Sequence, residues 1–124
     1  MILIIGGAYQ GKLTYALKKY SVSESEVFDL SLGDPSARSR IFTHFESYSK
    51  RAALSGMPFE EFIKAFLLLA NDSIVISREA GSGIVPIDEN ERYWREYHGR
   101  ALRELAGHAL KLTRVFCGLP EEIK

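Results

Sequence analysis

Apolar residues open the chain as a continuous run and then recur at helical spacing. Ile2 to Ile5 is an unbroken run of β-branched residues and leucine that stops at Gly6-Gly7, which predicts a buried parallel strand. The next apolar positions recur at i, i+3, i+4 and i+7 and predict an amphipathic helix; they are Leu13, Ala16, Leu17 and Tyr20. The chain is therefore expected to begin with a strand, a glycine-rich turn and a helix.

Short apolar runs and helical patterns alternate along the rest of the chain. Strands are predicted at residues 26–32, 73–77 and 113–117, and helices at residues 36–54, 59–69 and 89–111. Asp34-Pro35 fits the start of the helix at residues 36–54, with Asp34 as its cap. This order favours an α/β fold in which helices flank a mainly parallel sheet.

Composition narrows the classes of protein that the chain can belong to. Its 124 residues fit a single domain, residues 1–124, and 16 basic side chains balance 16 acidic ones. The balanced charge argues against a nucleic-acid partner, and the apolar runs are too short to span a membrane. The single cysteine, Cys117, suits a reducing compartment, so a cytoplasmic protein is expected.

The turn after the first strand carries a phosphate-binding pattern. Residues 6–12 match G-x-x-x-x-G-K at the place where the mechanism requires it, between a buried strand and an amphipathic helix. Glycines let backbone N–H groups face an anion, and the lysine reaches the outer phosphates of a nucleotide. The alternative is an ordinary glycine turn with an exposed lysine. We predict a P-loop NTPase-like fold that binds GTP or ATP through Gly6, Gly7, Ala8, Tyr9, Gln10, Gly11, Lys12, Leu13 and Thr14.

One position departs from that pattern. A serine or threonine normally follows the lysine, because its hydroxyl binds Mg²⁺, but this chain has Leu13 there. Thr14 is one residue further on, about 100° around the helix. Leu13 also lies on the apolar stripe of the helix. Mg²⁺ is therefore expected to improve nucleotide binding less than in an ordinary P-loop protein, and no residue is assigned as a metal ligand.

A second glycine loop brings a family resemblance. Residues 79–86 read Glu-Ala-Gly-Ser-Gly-Ile-Val-Pro, after a predicted strand and before an arginine-rich helix. Together with the first loop, this segment resembles the adenosylcobinamide kinase / adenosylcobinamide-phosphate guanylyltransferase family of cobalamin synthesis. The matching positions are Gly6-Gly7-Ala8, Gly11-Lys12, Glu79, Gly81, Gly83-Ile84-Val85-Pro86, Arg95, Gly99-Arg100, Leu105-Ala106, Gly118 and Lys124.

The resemblance implies specific site residues. Lys12 would contact the phosphates. From their positions after predicted strands, Asp29, Asp34 or Glu79 could orient a Mg²⁺-bound water, and Glu79, expected at the carboxyl end of its strand, is the best candidate. The histidine nucleophile of the family falls on residues 40–44, where either Thr43 or His44 takes its place. A helix-capping role for His44 is the alternative. Family members are longer, and the part missing here is expected to be a middle strand with an acidic end.

Three functions are compatible with the sequence. The chain is an enzyme that binds nucleotide and acts on adenosylcobinamide, or a nucleotide sensor or partner subunit without catalysis, or a structural protein without a ligand. His98 and His108 are too far apart on one helix to share a metal ion. The resemblance implies a homo-oligomer, and the neighbouring aromatic side chains of Tyr93, Trp94 and Tyr97 favour one.

Overall fold

A sheet of six strands runs through the computed structural model, which describes residues 1–79 and 89–124. The strands are β1 (Ile2–Gly6), β2 (Val27–Asp29), β3 (Ile41–Thr43), β4 (Ile74–Arg78), β5 (Lys111–Phe116) and β6 (Leu119–Glu122). The helices are α1 (Lys12–Lys19), α2 (Phe45–Leu54), α3 (Phe59–Leu69) and α4 (Glu89–His108), and a short 3₁₀ turn spans Glu24–Glu26. No helix in these two ranges is long and apolar enough to cross a membrane.

The sheet is mainly parallel, as the sequence predicted. Its strand order is β2-β3-β4-β1-β5-β6, and only the β5–β6 pair is antiparallel. β1 lies between β4 and β5, so both of its edges are paired. An unbroken apolar run is what such a central strand requires, because helices cover both of its faces. The predicted α/β class is confirmed.

The side chains of alternate strand residues point into two separate cores. Leu3 and Val75 point into a large aromatic core beneath α2, α3 and α4, whose largest buried side chains are Phe42, Phe45, Phe62 and Phe66. Ile4 and Ile76 point the other way, into a smaller aliphatic core beneath α1. The period of two residues along a strand produces this division. Among the described residues, α1 therefore covers one face of the sheet and α2, α3 and α4 cover the other, which gives three layers.

The prediction of one helix over residues 36–54 was wrong for its first half. β3 occupies residues 41–43, and the helix α2 begins only at Phe45. Ile41 and Phe42 are fully buried between β2 and β4, and three residues are too few to show a strand period. Asp34 does not cap a helix either. Its carboxylate accepts hydrogen bonds from Arg51, at 2.8 and 3.0 Å.

The C-terminal part of the chain also differs from the prediction. α4 ends at His108, three residues before the predicted end, and β5 begins at Lys111. A tight turn at Cys117 and Gly118, both with positive φ, leads into β6, which the sequence pattern did not reveal. All four residues of β6 are exposed, so no alternation of apolar and polar residues marks this edge strand.

The aromatic residues of α4 are covered more fully than the sequence suggested. Tyr97 is buried, and its ring packs 5.4 Å from the rings of both Phe59 and Phe62. Trp94 stacks on His98, and Tyr93 remains half-exposed. The chain therefore shields most of this cluster by itself. The homo-oligomer stays a prediction, resting on the family resemblance and testable by light scattering.

Candidate functional site

A cleft opens at the carboxyl ends of β1, β3 and β4, where parallel α/β sheets place their ligand sites. Its volume is about 350 Å³, within the usual range for small-molecule sites. The first glycine segment, residues 6–14 (the glycine loop), forms one wall through residues 8–14. The opposite wall comes from the ends of β3 and β4 and the start of α2, through Thr43, His44, Glu46, Ile76 and Arg78.

The glycine loop needs glycine at two positions for different reasons. A Cβ on Gly6 would lie 2.5 Å from the carbonyl oxygen of Val115, so β1 can approach β5 here only without a side chain. Gly11 has φ of 86°, in the left-handed region that glycine adopts freely. Tyr9 is also left-handed, with φ of 57°, and its side chain is fully exposed. Such residues are strained and are often found at binding sites.

Gln10 fastens the glycine loop to the turn between β5 and β6. Its backbone carbonyl accepts a hydrogen bond from the N–H of Gly118 at 2.9 Å, and its side-chain Oε1 accepts one from the N–H of Cys117 at 2.6 Å. Two bonds from one residue hold the loop in place before any ligand arrives. The loop is thus pre-organised, which reduces the entropy lost on binding.

Lys12 lines the cleft from the glycine loop. Its Nζ donates a hydrogen bond to the carbonyl oxygen of Gly7 at 2.6 Å, so the side chain folds back over the loop. Burial lowers the pKa of Lys12, Arg78 lowers it further, and the nearby carboxylates of Glu46 and Glu79 act in the opposite direction. A phosphate placed in the cleft would favour the charged lysine and restore its proton affinity.

Leu13 and Thr14 have different positions in the first turn of α1. Leu13 packs against the aliphatic core beneath α1, which explains why an apolar residue follows the lysine. Thr14 is exposed, and it lines the same cleft as Lys12. The hydroxyl that the loop pattern lacks at residue 13 is therefore available one residue later.

His44 faces the cleft and is held by an aspartate. Its Nδ1 lies 2.8 Å from Oδ1 of Asp29, at the end of β2, and its side chain is half-exposed. Burial opposes ionisation of Asp29, but hydrogen bonds from Ser31 and His44 outweigh it and lower the pKa of the carboxyl group. An ionised Asp29 accepts a hydrogen bond from Nδ1–H, so in a neutral His44 the lone pair lies on Nε2.

The backbone of His44 is also unusual. It has φ of 59° and ψ of 44°, a left-handed conformation that a β-carbon disfavours. This conformation ends β3 and starts α2 within a single residue. Thr43, the other candidate for the nucleophile, is buried although it lines the cleft, whereas His44 presents half of its side chain. Of the two candidates, His44 is the more accessible to a ligand.

Glu79 is engaged by another side chain. Its two carboxylate oxygens accept hydrogen bonds from Nε and an Nη of Arg114 in β5, at 2.8 and 3.1 Å. Glu79 influences the pKa of Lys12, but it is not among the residues that line the cleft. Its role with a metal stays a prediction. The remainder of the second glycine loop, residues 80–88, lies outside the described residues.

Two charged residues of the cleft were not selected from the sequence. Arg78 ends β4 beside the glycine loop, and Glu46 lies in the first turn of α2. The sequence position of Arg78 could have indicated a site residue, since a cation at the carboxyl end of a strand can contact a phosphate. The position of Glu46 gave no such indication, because residues 36–54 were predicted as one helix and the start of that helix was misplaced. In residues 1–79 and 89–124 no three His, Cys, Asp or Glu side chains gather into a metal-binding group.

His98 supports the cleft from behind and does not line it. Its Nδ1 lies 2.7 Å from Oγ of Ser49 in α2, and its Nε2 lies 3.0 Å from the carbonyl oxygen of Arg78. The ring is 1% exposed and stacks on Trp94. His98 thus joins α4, α2 and the end of β4, as a buried histidine with both ring nitrogens paired.

Stability is expected to fall in acid because of His98. Burial lowers the pKa of His98 below its ordinary value of 6.5, while the Arg78 carbonyl and Glu46 act the other way. Above that value, neither state carries the extra proton, and the contribution of His98 is fully present. Below it, the unfolded chain binds a proton that the folded chain resists, so the free energy of unfolding falls.

Urea unfolding at several pH values between about 5 and 8 measures this slope. His98→Asn is expected to be less stable throughout but to lose less stability in acid than the wild type. Both proteins keep His44 and His108, so the difference between them isolates His98. Equal slopes would show that His98 protonates freely in the folded state.

Comparison with known proteins identifies the family of the chain. A family model described as cobinamide kinase / cobinamide phosphate guanyltransferase matches residues 45–123, which is more than half of the chain. A comparison with curated proteins gives no match. The matched segment runs from α2 to the end of β6, and the glycine loop and His44 precede it. The chain belongs to the cobinamide kinase / cobinamide phosphate guanyltransferase family, whose fold is P-loop NTPase-like.

Proposed function

We propose that the chain binds GTP or ATP in the cleft and transfers a phosphoryl or guanylyl group to a cobinamide substrate. The observation that carries this proposal is one arrangement: Lys12 and the glycine loop lie on one wall of the cleft, and His44, oriented by Asp29, lies on the other. A phosphate chain between these walls would contact both. Family membership supplies the chemical class, and adenosylcobinamide is the expected acceptor.

Phosphate recognition rests on three kinds of donor. The backbone N–H groups of the glycine loop and of the first turn of α1 carry partial positive charge. Lys12 adds a mobile cation that can leave the Gly7 carbonyl for a phosphate oxygen. Arg78 adds a guanidinium group on the opposite wall, and such a group binds phosphate through two parallel hydrogen bonds.

His44 suits the guanylyl step. The Nε2 lone pair attacks the α-phosphorus of GTP, a P–N bond forms, and the bond from phosphorus to the bridging oxygen breaks to release pyrophosphate. Asp29 keeps the proton on Nδ1 and stabilises the positive charge that the ring gains. A phosphate oxygen of the cobinamide acceptor then attacks the same phosphorus, a P–O bond forms, and the P–N bond breaks, so the acceptor carries the guanylyl group and Nε2 regains its lone pair. Lys12 and Arg78 screen the negative charge in both steps.

Binding and turnover test this proposal separately. Calorimetric titration of the wild type should give saturable binding of GTP or ATP, and a ligand present at 100 times its dissociation constant should stabilise the fold by about 2.7 kcal/mol. GTP with adenosylcobinamide phosphate should then release pyrophosphate. Binding without release would favour the sensor or partner-subunit alternative, and no binding up to millimolar nucleotide would reject the proposal.

A further inference from the structure

Glu46 is a buried carboxylate whose position needs an explanation. Its residue is 8% exposed, although it lies beside an open cleft, and its Oε2 is buried without a hydrogen-bond partner among the residues that the structure describes. A buried carboxylate without a partner destabilises the fold, because it loses its hydration and gains nothing in return. Such a group persists where a ligand compensates for it.

The surroundings of Glu46 indicate the charge of that ligand. Glu46 lines the cleft together with Lys12 and Arg78, so it lies at the end where we place the phosphates. Lys12 feels its charge, but the Nζ atom of Lys12 donates to the carbonyl oxygen of Gly7. A carboxylate and a phosphate are both hydrogen-bond acceptors and both negative. They repel each other unless a cation lies between them.

We propose that Glu46 and the hydroxyl of Thr14 hold a divalent cation, Mg²⁺, that enters the cleft bound to the nucleotide phosphates. This inference rests on the proposed nucleotide binding. Carboxylate and hydroxyl oxygens are the hard donors that Mg²⁺ takes, with water and phosphate oxygens completing its shell. Thr14 lines the same cleft and is exposed, so its hydroxyl is free to turn toward the phosphates.

The same residues indicate that nucleotide and metal bind together. One carboxylate and one hydroxyl are too few to retain Mg²⁺ against water, and no acidic or histidine cluster in the described ranges adds to them. The cation should therefore bind only as its nucleotide complex. This inference replaces the expectation that Mg²⁺ matters little because the acid is missing, since α2 supplies an acid that the sequence pattern did not reveal.

The variant Glu46→Gln tests the assignment by calorimetric titration of GTP with Mg²⁺ and with a chelator. For the wild type, Mg²⁺ should raise GTP affinity by about 10-fold or more, and for Glu46→Gln by less than about 2-fold. In chelator, Glu46→Gln should bind GTP as well as the wild type or better, because the repulsion between carboxylate and phosphate is gone. Thr14→Val should lose part of the Mg²⁺ effect. Glu61→Gln, an exposed acid on α3, is the matched control and should behave as the wild type.

Each other outcome has a definite meaning. A full Mg²⁺ effect in Glu46→Gln would overturn the inference while leaving the proposed function intact. A metal-free affinity that falls in Glu46→Gln would also overturn it, since the carboxylate would then accept a hydrogen bond from the ribose or the base. No nucleotide binding by the wild type would reject both proposals.

Thermal unfolding without ligand shows that the variant is folded. Glu46→Gln keeps the shape of the side chain and removes a buried charge whose Oε2 has no partner among the described residues, so its Tm should be equal to that of the wild type or higher by about 2–6 °C. A lower Tm would mean that the carboxylate has a stabilising partner in the folded chain and would count against a site reserved for a cation.

Discussion

Lys12→Ala is expected to lower the affinity for GTP and ATP by about 100-fold, the loss of one charge-assisted hydrogen bond to phosphate in a partly buried site. Lys12 is the lysine of the glycine loop, and in the proposed complex it exchanges its bond with the Gly7 carbonyl for one with the ligand. Calorimetric titration measures the loss. The Tm gained by adding nucleotide should shrink in proportion.

Lys64→Ala is the matched control for this variant. Lys64 is exposed on α3, and it lies with Met1 at the amino-terminal edge of the sheet, away from the cleft. Its removal changes the net charge of the protein by the same amount as Lys12→Ala. An equal loss of affinity in both variants would mean that nucleotide responds to overall charge, and the glycine loop would not be the binding site.

His44→Gln is expected to abolish covalent capture of guanylate while leaving GTP binding nearly unchanged. The variant removes the only group assigned to form the P–N bond, and loss of a nucleophile lowers rates by about 1,000-fold or more. Incubation with GTP labelled at the α-phosphate, followed by denaturation, measures the captured nucleotide. The bond should be stable in base and labile in acid, as P–N bonds are.

In the same assay, Asp29→Asn separates the orientation of the His44 ring from the stabilisation of its charge. An amide can still contact Nδ1, but it does not stabilise the charged ring, so capture should slow by about 10- to 100-fold and not vanish. His108→Gln, an exposed histidine at the end of α4, should behave as the wild type. Undiminished capture in His44→Gln would remove His44 from the mechanism.

The sequence predicted the central part of the fold because its signals there were strong. The apolar run of β1 and the helical periods of α1, α3 and α4 were each long enough to identify their elements. β3 could not be found in this way, since it contains three residues and its burial comes from β2 and β4 on either side. β6 is a wholly exposed edge strand, so its position depends on pairing with β5.

The candidate site could be predicted only where one continuous segment forms it. The glycine loop and Lys12 are contiguous, and the structure brings them into one cleft with His44. The aspartate beside His44 is fifteen positions away along the chain, and only the pairing of β2 with β3 makes them neighbours. Arg78 and Glu46 reach the cleft from β4 and α2, and the position of Glu46 depends on where α2 begins.

A nuclear magnetic resonance titration tests most directly whether this cleft binds the phosphates of a nucleotide. With GTP and Mg²⁺ added to ¹⁵N-labelled protein, we expect saturable shifts of the backbone amides of residues 7–14 and of Arg78. The amide signals of Ser73 and Leu110, which directly precede the amino-terminal ends of β4 and β5, should not shift. Shifts centred on the amino-terminal edge of the sheet, or none that saturate, would contradict phosphate binding in this cleft.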